Sequence, residues 1–462
     1  MPTPSIVVLG GGAAGLVSAL LLARDGHTVT LVERDSFDVG DALGAVDWSR
    51  RGVPHFQLPH AFIPRGRAEL IRLLPDVYAD LLAHGAHDVD CRPKLPGAAR
   101  PGDEEVQYLG VRRPLLEWAL RRAVIAERRI AVRASARAER LLTGDGKVTG
   151  ATVDGDDISA DLVVDALGRR TPTVRWLAEV GIDVGEPRGS DCGVIYYARY
   201  YRQRRGFELP DGPWLLSPRG DLGYCAYATF PGDNGTFAAL LAVPPGVSAW
   251  RGLNDPSRFE AAVATIPPLR SWVDPGGCDP ITEVMPMAGL RNSCRSPHAV
   301  LPGLVAVGDA LAHTDPVLAH GLAFALIHAG ALRDVVADDD EPAGVAERFD
   351  AVVRPAIVER FRFVTELDEQ RLRMWGGGPV DVAHRDGDYA LFTMAAGGVA
   401  AMVDADVARV FARRVGLLDS TKVLDDDVAM QKRIEQIFAE VASAPRPSAG
   451  PPLADMLALL TA

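Results

Sequence analysis

The sequence predicts an α/β protein in which a parallel sheet is interrupted by an inserted antiparallel sheet and followed by a helical C-terminal region. Three observations carry that prediction. Near the start, "SIVVLG", "AAGLVSALLLARDG" and "TVTLVERD" alternate strand-like and helix-like patterns, the rhythm of parallel strands joined by a crossover helix. Two further buried-strand runs, "ADLVVDALG" and "LPGLVAVGD", return much later in the chain. Between them, residues 186–285 change to strands broken by Gly, Pro and Asp-Asn turns.

Size and composition set limits. The 462 residues are enough for two or three domains, and a composition 48% hydrophobic and 24% charged is that of a globular chain. A formal charge of -12 argues against a nucleic-acid partner and against a polybasic membrane anchor. Five scattered cysteines, none in Cys-x-x-Cys, argue against a disulfide framework or a metal site and fit a reduced cytoplasm. The first apolar run, "SIVVLGGGAAGLVSALLLA", has no basic residues ahead of it, contains six Gly or Ser, and runs into the polar "RDGH". It therefore reads as folded structure, with no membrane span expected.

The first element is the strand "SIVVLG". Gly10-x-Gly12-x-x-Gly15 follows it directly, then a helix of small residues beginning at Ala13 and Ala14. Gly26 stops that helix, and the second strand ends on Glu33 and Arg34. This is a Rossmann-like arrangement. The glycines allow a tight turn, close approach of a pyrophosphate, and close packing of helix on strand. The helix N-terminus offers free N–H groups to phosphates. Glu33 falls 18 residues after Gly15, where a carboxylate takes up ribose hydroxyls. The acid disfavours a 2′-phosphate, so the expected dinucleotide is FAD or NAD rather than NADP.

The next elements carry a resemblance. The motifs "GGGAAG", "RRGVPHFQLPHAFIPRG", "DLVVDALGRRTP" and "VGDALAHTDPVLAHGLAFA" occur in that order over roughly residues 5–330. Together they resemble the FAD-dependent oxidoreductases of glutathione-reductase-like fold. More narrowly, they are similar to the branch of aromatic hydroxylases, flavin-dependent halogenases and geranylgeranyl-reductase-like enzymes. The resemblance implies FAD and assigns Gly308 and Asp309 to the end of a strand, with Asp309 accepting from a ribityl hydroxyl. An ordinary helix-capping aspartate is the alternative for Asp309. The loop from Pro316 to Gly321 would pass the isoalloxazine ring. The helix that follows, with Leu322 and Ala323, would aim its N–H groups at the pyrimidine end, where reduced flavin carries negative charge. Arg50 and Arg51 fall where the family places an arginine near the phosphates or ribityl chain, and Arg51 is assigned the contact. Of Arg112 and Arg113, ahead of the helix at Pro114, Arg113 is favoured.

The resemblance divides the chain into an FAD-binding domain (1–185 and 286–335), a substrate-binding sheet domain (186–285) and a helical region (336–462). Tyr196, Tyr197, Tyr200, Tyr201, Tyr224, Tyr227 and Trp214 give the sheet domain aromatic residues for either its own core or a substrate pocket. The helical region would cap that pocket or make a dimer contact. Residues 338–341 read as a solvated acidic loop and 443–452 as a linker.

The expected activity is a monooxygenase in which a peroxyflavin passes one oxygen atom to a hydrophobic, aromatic or polyketide-like molecule of the kind met in secondary metabolism. The alternative is a reductase or dehydrogenase moving hydride at a carbon–carbon bond. A third reading is a flavoprotein without catalysis. His320, His55 and His313, with His60, are the candidate acid–base residues, because histidine titrates nearest neutrality and these lie in the segments expected near the ring. Asp315 is either a polar contact at the ring or a turn residue. No second Gly-x-Gly-x-x-Gly follows a strand, so NADH or NADPH would dock transiently, or a separate flavin reductase would supply electrons. Two departures from the branch matter. There is no Trp-x-Trp, and Lys94 lacks the surroundings of the halogenase lysine, which lowers that alternative. The middle motif reads "DALGRRTP" where hydroxylases have Asp-Gly, which puts direct NADPH use in doubt.

Overall fold

The computed structural model describes all residues except 1–3, 39, 43–47, 54, 210–217, 339–343, 444–449 and 462. Trp214, most of the acidic loop at 338–341 and most of the linker at 443–452 therefore lie outside the described residues.

Five parallel strands form the first sheet. Their spatial order is Leu304–Ala306, Leu162–Asp165, Ser5–Leu9, Thr28–Glu33, Ile130–Ala134. The central three strands are apolar on both faces because helices cover one side and a three-stranded meander (138–159) covers the other. The helix Ala13–Arg24 is nearly all buried, so its small residues serve packing rather than solvation. At Gly10, with φ +104°, an added Cβ would stand 2.4 Å from the Ala166 carbonyl oxygen. At Gly15 it would stand 1.8 Å from the Gly10 carbonyl oxygen. Both approaches are open only to glycine, and they bring strand, turn and helix together.

The second sheet is antiparallel, in the order Arg219–Asp221, Ala226–Pro231, Thr236–Val243, Ile195–Gln203, Cys278–Pro280, with Met285–Met287 also pairing the fourth strand. Alternation along Ile195–Gln203 splits its tyrosines. Tyr197 and Tyr201 enter an outer core with Phe237, Trp250 and Trp272, while Tyr196 and Ala198 face the other way with Leu240 and Ala242. The bland expectation for most of these aromatics, packing, is the one the sheet realises.

The C-terminal region is helical, dominated by Val345–Trp375 and followed by Tyr389–Ala401, Ala405–Val415 and Val428–Ala442. These helices lie against the FAD-type half and close over the space between the two sheets. The last helix, Leu453–Thr461, does not join them. It packs on the outer face of the antiparallel sheet, burying Met456 and Leu460 beside Trp250 and Phe259. All five cysteines are buried, and none forms a disulfide among the described residues. Among the described residues no helix is long and apolar enough to cross a membrane.

Candidate active site

One cavity of about 1500 Å³ runs from the glycine turn to the C-terminal helices. A pocket for one small ligand usually measures about 300–1000 Å³, so this space has room for a dinucleotide and a second molecule.

At its first end stand Gly10, Gly11, Gly12, Ala13, Ala14, Glu33 and Arg34. The helix Ala13–Arg24 has no side-chain cap at Gly12, and a Cβ there would meet only Arg113 Nη2, at 4.0 Å. The N-terminal N–H groups therefore face open space, as a phosphate cradle requires. The Glu33 carboxylate accepts from Gly11 N (2.6 Å) and Asp35 N (2.8 Å), which leaves acceptor capacity on the cavity side for ribose hydroxyls.

Within each arginine pair the two side chains take different places. Arg50 is buried and holds Glu33 (2.6 Å), Glu117 (2.5 Å) and Asp35 (3.1 Å), with a further bond to the Gly11 carbonyl (3.0 Å). It thus braces the turn. Arg51 is exposed at the cavity rim. Arg113 lines the cavity and donates to Glu117 (2.8 Å), while Arg112 turns away to Asp233 (2.6 Å). Burial works against ionisation of Glu117, but Arg113 and Arg50 outweigh it and hold the carboxyl below its usual range.

The far strand delivers Gly308 and Asp309 as a 3-10 turn, so Asp309 is not the cap of the long helix, which starts only at Gly321. His313 Nδ1 lies 3.3 Å from Asp309 Oδ2. Burial would raise the Asp309 pKa, yet His313, His55 and Arg113 together hold it at about 2. The Gly308 N–H donates to His328 Nδ1 (3.0 Å), a buried histidine that the sequence reading missed. Burial takes His328 down to about 4, so it is a neutral acceptor that shapes the turn.

The candidate histidines fall into two places. His55, His60 and His313 gather around Asp309, with the rings of His55 and His60 6.1 Å apart. Burial, then the Arg113 cation, keeps both His55 and His60 neutral. His320 stands apart, buried beside Arg360 and the Val415 carbonyl, and is held neutral by burial and by Arg360. Pro316, Gly321 and Leu322 line the cavity as expected, whereas Gly15 and Ala323 do not. Gly15 packs against the Gly10 carbonyl, and Ala323 packs into the core next to Gly66.

Asp315 is more than a turn residue. It is buried and accepts from the Tyr196 hydroxyl (2.5 Å) and from Arg371 (2.7 Å), and its N–H donates to Asn292 Oδ1 (2.7 Å). Arg371 also donates to Asp368 (2.9 Å), which Asn292 contacts in turn (2.8 Å). This network fixes the 315–320 loop to the antiparallel sheet and to the Val345–Trp375 helix at once. A sequence signal for it existed. Val364, Leu367, Asp368, Arg371 and Trp375 share one helix face, and an acid and an arginine inside an apolar stripe point to a buried pair.

The second end of the cavity is walled by Leu240, Ala242, Met287, Met394, Val399 and Met402. Lys94 is not among the lining residues.

Comparison with known proteins agrees with this layout. Residues 5–171 match the family model described as FAD dependent oxidoreductase. The chain is 29% identical over 375 residues to the protein Rv3254 of Mycobacterium tuberculosis, spanning 72% of this chain and 73% of that one. Its fold is similar to that of PqsL from Pseudomonas aeruginosa, described as a probable FAD-dependent monooxygenase (TM-score 0.60, 14% identity, 81% of this chain and 99% of that one). It is also similar to the flavin-dependent brominase Bmp2 (TM-score 0.61, 18% identity, 95% of this chain and 98% of that one). The chain carries an FAD-dependent oxidoreductase domain, and FAD is the cofactor its glycine cradle takes.

Proposed function

We propose that this FAD-dependent oxidoreductase is a monooxygenase that inserts one oxygen atom into a hydrophobic, aromatic or polyketide-like small molecule. The observation that carries the reading is the single cavity joining the glycine cradle to an apolar chamber of leucine, methionine and valine. Bound FAD supplies the redox centre and the site at which oxygen is activated. The protein supplies the rest. The 10–14 turn and Arg113 hold phosphate, Glu33 and Asp309 take hydroxyl groups, and the apolar walls exclude water from the reacting centre. The neutral imidazoles of His55 and His60 stand ready to hydrogen-bond and orient a substrate hydroxyl, while burial and Arg113 disfavour their protonation. The absence of Lys94 from the cavity wall speaks against a halogenase despite the likeness to a brominase. Electrons come from NADH or NADPH docking transiently or from a partner flavin reductase.

The test is anaerobic reduction followed by oxygen. The flavin band of the purified protein is watched as NADH, NADPH or a flavin reductase is added, and isotopically labelled oxygen is then admitted with a substrate library. A product carrying one labelled oxygen atom is expected. A product that has gained or lost two hydrogens and no label would establish the hydride reaction instead.

A further inference from the structure

Among the described residues Arg219 is a cation with no hydrogen-bond or ion-pair partner. It lies on the edge strand Arg219–Asp221 of the antiparallel sheet and lines the cavity. Arg219 is half-buried, and the fully buried arginines all find a protein group. Arg50, Arg112, Arg295 and Arg371 each hold a carboxylate at 2.5–2.7 Å, while Arg121, Arg360 and Arg414 use backbone carbonyls or aromatic faces. The chain has 61 acidic residues, so carboxylates are not in short supply. Asp221 stands two residues away on the same face of the strand, but it is spent on the Trp375 indole N–H (3.0 Å) and the Gly223 N–H (2.7 Å).

Position distinguishes Arg219 from the other unpaired cavity arginines. Arg34, Arg51, Arg137, Arg169 and Arg170 belong to the segments at the glycine-turn end of the cavity, where cofactor phosphates are expected. Arg219 instead sits beside Tyr108 and opposite Ala228, in the half of the cavity formed by the antiparallel sheet and the C-terminal helices. Burial depresses its pKa, and the Tyr108 hydroxyl offers the one compensating interaction. An arginine left unpaired in an apolar chamber is costly unless something brings it an anion. Its planar fork fits a carboxylate through two parallel hydrogen bonds.

We infer that Arg219 is a substrate-binding residue and that the substrate is a hydrophobic carboxylic acid, its carboxylate seated on Arg219 and its apolar body lying along the sheet and the Tyr389–Ala401 helix. This rests on the reading of the cavity as a joint cofactor and substrate chamber. It adds a charge requirement that the apolar walls alone do not impose.

Calorimetric titration of the FAD-loaded protein tests it, with three acids as probes: naphthalene-2-carboxylate, 4-biphenylcarboxylate and decanoate. Each is compared with its neutral primary amide. At least one acid is expected to bind about tenfold or more tightly than its amide. Arg219→Gln should erase that preference and Arg219→Lys should keep part of it. Because Arg219 has no partner among the described residues, both variants should keep the native flavin content and neither should lower the thermal midpoint. Equal binding of acids and amides, no binding by any acid, or a preference that survives Arg219→Gln would overturn the inference. Release of flavin by the acids would also overturn it, since it would place them on the cofactor arginines. A colourless protein, by contrast, would show the FAD reading itself to be at fault.

Discussion

Replacing Arg371 with methionine removes the cation that faces Asp315. The pair is almost fully shielded, with side-chain exposures of 5% and 0% at an N–O distance of 2.7 Å. Asp368 does not add a second negative charge at neutrality, because burial and the Asp315 charge push it up to about 9 against the pull of Arg371. The variant therefore leaves the Asp315 carboxylate buried without a cation, held only by the neutral Tyr196 hydroxyl and Asp368 carboxyl. Breaking a buried pair in this way costs about 3–5 kcal/mol. Spread over 462 residues at about 2.1 cal/mol/K each, that is roughly a 3–5 °C fall in the midpoint if the chain unfolds as one unit. Scanning calorimetry of the FAD-loaded protein reads it directly. The double variant Arg371→Met, Asp315→Asn removes the stranded charge and should recover part of the loss. A single variant within about 1 kcal/mol of the native protein, or a double variant worse than the single one, would refute the reasoning.

Three further outcomes are expected. Asp368 is protonated in the fold up to about pH 9 but ionises near pH 4 when unfolded, so it makes stability fall as pH rises between those values. Asp368→Asn should gain on the native protein across that window, and denaturation midpoints that stay parallel with pH would contradict it. His328 has the opposite sign. Its folded pKa of about 4 lies below that of the unfolded chain, so its contribution is complete above pH 6.5 and is lost as pH falls towards 4. His328→Asn keeps an acceptor for the Gly308 N–H and should flatten the acid slope by about 1.4 kcal/mol per pH unit; an unchanged slope argues against a neutral buried histidine. Gly10→Ala forces a Cβ to within 2.4 Å of the Ala166 carbonyl at φ +104°, so the purified variant should carry little flavin, and an absorbance ratio equal to the native one would count against the cradle.

The parts of this molecule that could be read from the sequence are those where neighbours in the chain are neighbours in space. Gly10, Gly12, Gly15 and Glu33 belong to one strand–helix–strand unit, so spacing alone announces it. Asp309 and Pro316 are legible for the same reason. The Tyr196–Asp315 bond spans 119 residues and the Asp315–Arg371 bond 56, so the helix pattern announces a buried acid and arginine but not the partners they meet. The resemblance assigned the contact to Arg51, but no local pattern shows why Arg50 is withdrawn from it: Arg50 faces Glu117, a residue far along the chain. His320 and His313 looked equivalent from seven residues apart. The fold sends one towards Asp309 and the other towards Arg360.

The docking of Leu453–Thr461 on the antiparallel sheet has a consequence for how the protein is made. Its Leu460 carbonyl receives Arg258 (3.0 Å), and the Pro451 carbonyl receives the Tyr224 hydroxyl (2.6 Å). The sheet leaves the ribosome long before these residues do. Until synthesis reaches them, Trp250, Leu253 and Phe259 have an uncovered flank. The outer core of the antiparallel sheet is thus closed only when a segment made about 200 residues later docks on it.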